Sequence, residues 1–109
     1  MAYTIEKITT LIGARRMGSA EANICWILTD SRSLCFPETT LFFALRTERN
    51  DGHRYIPELY NRGVRNFVID HKDDNLNDYP DANFLKVTNT LAALQRLAER
   101  HRDEFDIPV

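Results

Sequence analysis

The stretch TDSRSLCFPETTLFFALRTERNDGH, residues 29–53, sets an apolar run between two polar, turn-forming segments. TTLFFAL (39–45) shows almost no alternation of apolar and polar positions, the pattern of a strand covered on both faces rather than one. Asp30, Ser31 and Arg32 precede it, and the Asp-Gly-His of residues 51–53 closes the charged loop that follows. A buried strand with polar turns at its ends belongs to an open α/β sheet, in which ligands commonly sit at the carboxyl ends of parallel strands.

Working outward, NICWILT (23–29) repeats the buried-strand pattern, while VRNFVID (64–70) and NFLKV (83–87) supply two more strands. HKDDNLNDYPDA (71–82) is polar and turn-rich, and reads as a surface loop. Ile5, Ile8, Leu11 and Ile12 fall at helical spacing behind Thr4, a capping residue, with Glu6 at the positive end and Gly13 placed to close the helix. A second helix runs through Tyr55, Ile56, Leu59 and Tyr60, with Pro57 in its first turn and Gly63 as its stop. Thr88 or Asn89 caps a third, whose stripe is Leu91, Leu94, Leu97 and Ala98 and which reaches about residues 101–104. These elements predict an α/β fold: a small mixed sheet of four to five strands packed with three helices. Trp26, Phe42 and Phe43 are expected in the core, and Tyr55 and Tyr60 in helix packing.

The chain has 109 residues, 43% hydrophobic and 28% charged, which suits one globular domain with one core. Its 14 Lys and Arg against 16 Asp and Glu leave a net charge of -2, so no basic field exists to hold nucleic acid. No apolar run approaches a membrane span and no leader is evident, which reads as a cytoplasmic protein without membrane contact. Cys25 and Cys35 have neither CxxC nor ligand spacing and are expected as reduced thiols, and no metal site is expected. His71 and His101 lie in polar surroundings and read as surface residues.

Chemistry concentrates in the two turns. A nucleophilic Ser31 needs a base and an oxyanion site, and no G-x-S-x-G elbow surrounds it. The same turn suits binding, since a hydroxyl and exposed backbone N–H groups can hold a polar ligand; equally, Asp30 can cap the turn and pair with Arg32. RTERNDGH (46–53) can offer cations and backbone donors to a phosphate, or be a solvated loop. G-x-x-x-x-G-K-[ST] and G-x-G-x-x-G are absent from the sequence, so no self-contained nucleotide-hydrolysing site is visible.

With D-S-R, a spacer, L-F-F-A-L, a short loop and D-G-H-R-Y-I in order, the chain resembles the N-terminal domain of the Mur ligases, the ATP-dependent enzymes that build the peptidoglycan stem peptide. YTIEKITTLIGA, YIPELYNRGVRNFVI and VTNTLAALQRLAERHRDEFDIPV are most similar to the branch that adds D-alanyl-D-alanine, and the style of the sequence is that of ligases fused to an alanine racemase. The branch adding the third stem residue shares the same signals. The resemblance implies a single domain, 1–109, binding the UDP end of UDP-N-acetylmuramoyl-tripeptide. Central ATPase and C-terminal domains would follow in the full-length chain, the sequence stopping just before the phosphate loop, with ATP and Mg2+ bound there and no cofactor here. It also implies that an acyl phosphate forms on the tripeptide carboxylate and is attacked by the dipeptide amine.

Carried over by position, Ser31 would face the uridine or its diphosphate, Thr29 would line the uracil pocket, and Thr47, Glu48, Arg49 and Asn50 would wrap the nucleotide. Asp30, Arg32, Asp51, Gly52 and His53 would shape the two turns, and none would be catalytic. The spacer SLCFPETT is longer than the family's usual version, and Thr39 and Thr47 stand where the family commonly has Gly. A β-branched residue at positive φ would be strained, so the loops are expected to take a different path. Two other classes stay open: an α/β interaction module without a ligand, and a small hydrolase using Ser31 and His53.

Overall fold

The computed structural model describes residues 3–18, 20–29, 34, 36–45, 51–70 and 79–101. Within them, β1 (Tyr3–Thr4), α1 (Ile5–Ile12), β2 (Arg15–Met17), β3 (Asn23–Ile24) and β4 (Trp26–Leu28) lead to β5 (Thr40–Phe43). Then come α2 (Ile56–Asn61), β6 (Asn66–Ile69), β7 (Asn83–Lys86) and α3 (Thr90–His101). The main sheet has the order β2-β7-β6-β5-β4, with β4 to β7 parallel and β2 antiparallel to β7, while β1 and β3 form a separate antiparallel pair.

Successive side chains of a strand point to opposite faces, which sorts the core into two layers. Ile27, Leu41, Phe43, Val68 and Leu85 meet Ile5, Ile8 and Ile12 of α1 and Ala93, Leu94 and Leu97 of α3. Leu28, Phe42, Phe67, Ile69 and Phe84 meet Ile56 and Leu59 of α2. All four residues of β5 and of β6 are buried, which is why their sequences read as continuous apolar runs.

The helix ends follow the capping chemistry read from the sequence. Thr4 Oγ1 accepts from the Lys7 N–H at 3.1 Å and Gly13 closes α1 at φ 65°. Asn89 Oδ1 accepts from the Ala92 N–H at 2.9 Å, so Asn89 caps α3. Pro57 lies in the first turn of α2, where a missing N–H costs little, and Gly63 ends it at φ 107°.

Three expectations are corrected and one strand is added. NICWILT is two strands: β3 pairs with β1, β4 pairs with β5, and the switch falls at Cys25, whose N–H reaches Thr39 O at 2.9 Å. Trp26 is on an edge strand and 37% exposed, stacked on the exposed Phe36 with ring centroids 5.3 Å apart. Arg15–Met17 is a strand, its charged residues suited to a short sheet edge. Leu91 is 49% exposed and Ala93 takes its place on the buried stripe, because Thr90, Ala93, Leu94 and Leu97 keep the i, i+3, i+4, i+7 spacing toward the sheet.

Thr39 lies in a 3-10 turn, Pro37–Thr39, and Asp81 alone among the described non-glycine residues has positive φ, so Thr39 carries no such strain. Of the 71–82 connection, residues 71–78 lie outside the described residues; Tyr79 packs edge-on against Tyr60 at 5.1 Å. Cys25 is a half-buried free thiol, and among the described residues no helix is long and apolar enough to cross a membrane.

Candidate functional site at the carboxyl ends of the parallel strands

β4 and β5 are parallel, so both end at the same side of the sheet, immediately ahead of the two polar segments. Half-buried Thr29 follows β4 directly, and the second turn follows β5. Asp30, Ser31, Arg32, Thr47, Glu48, Arg49 and Asn50 lie outside the described residues, so the geometry rests on what brackets them.

β5 ends in a sharp bend in which Leu45 N–H donates to Phe43 O at 3.0 Å. Leu45 O then accepts from the Gly52 N–H at 2.7 Å, tying together the two ends of the segment 46–51. Gly52 is buried, and a Cβ there would stand 2.9 Å from Leu45 N and 3.0 Å from Leu45 O. Only glycine lets these two backbones approach so closely.

Asp51 and His53 lock this closure. Asp51 Oδ1 accepts from the His53 N–H at 3.0 Å and contacts His53 Nδ1 at 2.5 Å. His53 Nε2 accepts from the Asp70 N–H at 3.3 Å, which leaves Nδ1 as the protonated nitrogen donating to Asp51. The ring is 7% exposed and joins the turn to the end of β6. Both imidazole nitrogens are therefore engaged, which argues against His53 as a general base for Ser31. Sequence reading left Asp70 out of this group, because a residue 17 positions away carries no spacing signal.

The same edge is braced from α3, where buried Thr90 donates its hydroxyl to Ala44 O at 3.0 Å. Beside it, a cleft of about 390 Å³ opens at the carboxyl end of β7, with Arg15, Lys86 and Arg96 in its walls and no carboxylate among its lining residues. Among the described residues these three side chains make no ion pair or hydrogen bond. Such a cleft favours an anion; β2–β7 pairing sets Arg15 opposite Lys86 and α3 adds Arg96, a grouping that no sequence spacing signals. Among the described residues no group of three or more His, Cys, Asp or Glu could hold a metal ion.

Residues 23–102 match the Mur ligase family, catalytic domain. The chain belongs to the Mur ligase family. It is 41% identical over 87 residues to the UDP-N-acetylmuramoyl-tripeptide--D-alanyl-D-alanine ligase of Synechocystis sp., covering 80% of this chain and 18% of that protein. It is also 33% identical over 84 residues to the UDP-N-acetylmuramoyl-L-alanyl-D-glutamate--2,6-diaminopimelate ligase of Clostridium tetani, covering 77% of this chain and 17% of the relative. A crystal structure of MurF from Acinetobacter baumannii superposes with a TM-score of 0.78 at 23% identity, covering 94% of this chain and 22% of that one. The fold is thus that of the Mur ligase N-terminal domain type, and this chain spans about a fifth of the length of the proteins it matches.

Proposed function

We propose that this chain is the precursor-recognition domain of a peptidoglycan ligase, holding the UDP end of UDP-N-acetylmuramoyl-tripeptide. The protein that contains it would add D-alanyl-D-alanine to the tripeptide. What chiefly supports the reading, beside family membership, is the closure of residues 46–51 by the Gly52–Leu45 hydrogen bond of 2.7 Å at the carboxyl edge of the sheet. A segment whose two flanking residues are tied backbone to backbone can present donors to a ligand at a reduced ordering cost.

On this reading Thr29 lines the uracil pocket and Ser31 faces the uridine or its diphosphate. Thr47, Glu48, Arg49 and Asn50 wrap the nucleotide, while Asp30, Arg32, Asp51, Gly52 and His53 shape the turns. The remote grip on uridine aligns a distant carboxylate for the partner domain, reducing the entropy cost of reaction there. The phosphate loop for ATP and its Mg2+ is not in these 109 residues, so the residues present do not fit that cofactor and no chemical step is assigned to them. ATP and Mg2+ belong to a central ATPase domain of the same full-length chain.

The likeness to the diaminopimelate ligase of Clostridium tetani supports a second reading, the same recognition role in the ligase that adds the third stem residue. Both readings share the uridine site and differ in the peptide acceptor. Calorimetric titration with UDP tests the shared part. Saturable binding that Ser31→Ala weakens by about tenfold is expected, the loss of one well-placed hydrogen bond. Unchanged affinity in Ser31→Ala, or no UDP binding by either this chain or the full-length protein, would contradict it.

A further inference from the structure

At the opposite end of the sheet, where β6 and β7 begin, Asn66 and Asn83 face each other across the parallel pair. Asn66 is 1% exposed and Asn83 0%. Asn83 Nδ2 donates to Asn66 Oδ1 at 3.0 Å and to Ala20 O at 2.9 Å, while Arg16 Nη2 donates to Ala20 O at 2.8 Å and Asn83 Oδ1 at 3.4 Å. The network fixes which way each amide points, since turning Asn66 over would set two NH2 groups against each other. Asn66 Nδ2 is then a buried donor with no hydrogen-bond partner. An amide donor left so in the interior costs about 1–3 kcal/mol, which an acceptor from outside the chain, water or a ligand, would recover.

A cleft of about 430 Å³ opens onto this place, lined by both asparagines together with Glu21, Glu38, Arg65 and Asp81. Three carboxylates outnumber one guanidinium, and among the described residues the carboxylates make no ion pair or hydrogen bond. Arg65 is already committed, donating from Nη1 to Tyr60 O at 2.7 Å and Val64 O at 3.0 Å and lying over the Tyr60 ring. The volume is that of a small-molecule site.

We propose that this cleft binds a compact organic cation that carries an amide or ester carbonyl. The carbonyl accepts from Asn66 Nδ2, and the positive group lies among Glu21, Glu38 and Asp81. An anion is disfavoured by the carboxylates, and an apolar molecule would leave the amide donor unsatisfied. This site is independent of the uridine reading, being built at the other end of the strands.

Glycinamide is the smallest probe of the whole pattern; acetamide carries the carbonyl alone and ethylammonium the charge alone. In an NMR titration following the side-chain NH2 signals of Asn66 and Asn83, glycinamide is expected to shift both saturably. Its affinity should exceed that of either control by at least about tenfold, since two contacts act together. The double variant Glu38→Gln, Asp81→Asn should bring glycinamide to the level of acetamide. Both substitutions lie on exposed residues, and Asn tolerates the positive φ of position 81, so the chain keeps its fold. Asn66→Ala should abolish the carbonyl contribution; because it also removes the acceptor of Asn83 Nδ2, the rim variants carry the test independently. The proposal is overturned if glycinamide binds no better than acetamide, if the double variant binds it unchanged, or if the Asn66 signals stay still because only solvent occupies the cleft.

Discussion

Gly52 and Leu45 are joined backbone to backbone: the Gly52 N–H meets Leu45 O at 2.7 Å, and a Cβ on Gly52 would lie 2.9 Å from Leu45 N. The neighbours are main-chain atoms that cannot rotate away. Gly52→Ala should therefore cost about 1–3 kcal/mol by overpacking, with Tm falling by at least about 4 °C on thermal unfolding. UDP binding should weaken further than stability alone requires, because the loop's base moves.

His53 connects Asp51 to the backbone of Asp70. His53→Ala removes the acceptor of the Asp70 N–H and should destabilise by about 1–3 kcal/mol in urea unfolding. His53→Gln, which keeps a side-chain acceptor, should recover part of the loss.

Along α3, Leu97 is 0% exposed and Leu91 49%. Leu97→Ala should cost about 2–5 kcal/mol, whereas Leu91→Ala should stay within about 0.5 kcal/mol of the parent by the same measurement.

Trp26 is the single tryptophan, and Phe36 covers it with rings 21° from parallel. Phe36→Ala should move tryptophan emission to longer wavelength as the ring gains water contact. Stability should change by less than about 1 kcal/mol, because both rings are already partly in solvent.

The parallel core was legible because its strands are buried on both faces, so Leu41–Phe43 and Phe67–Ile69 stand out as unbroken apolar runs. Helix ends were legible because capping is local: Thr4, Asn89 and Gly13 act within three or four residues. Long-range placement was not. Nothing local says that Arg15–Met17 pairs with β7, that the chain changes partner at Cys25, or that Trp26 falls on the outer edge. For the site, the Asp-Gly-His signature pointed to a closed turn, but its anchor at Asp70 and the cation cleft exist only after folding. The Asn66–Asn83 pair was hidden for the same reason, each being one polar residue at the start of an apolar strand.

On the proposed function, the carboxyl edge of this sheet receives the uridine end of the precursor. An amide NMR titration with UDP, and then with UDP-N-acetylmuramoyl-tripeptide, tests it residue by residue. Saturable shifts centred on Thr29, Ser31 and residues 47–53, with Asn66 and Asn83 unmoved, are the predicted result. Shifts centred elsewhere, or none at millimolar ligand in this chain and in the full-length protein alike, would contradict it.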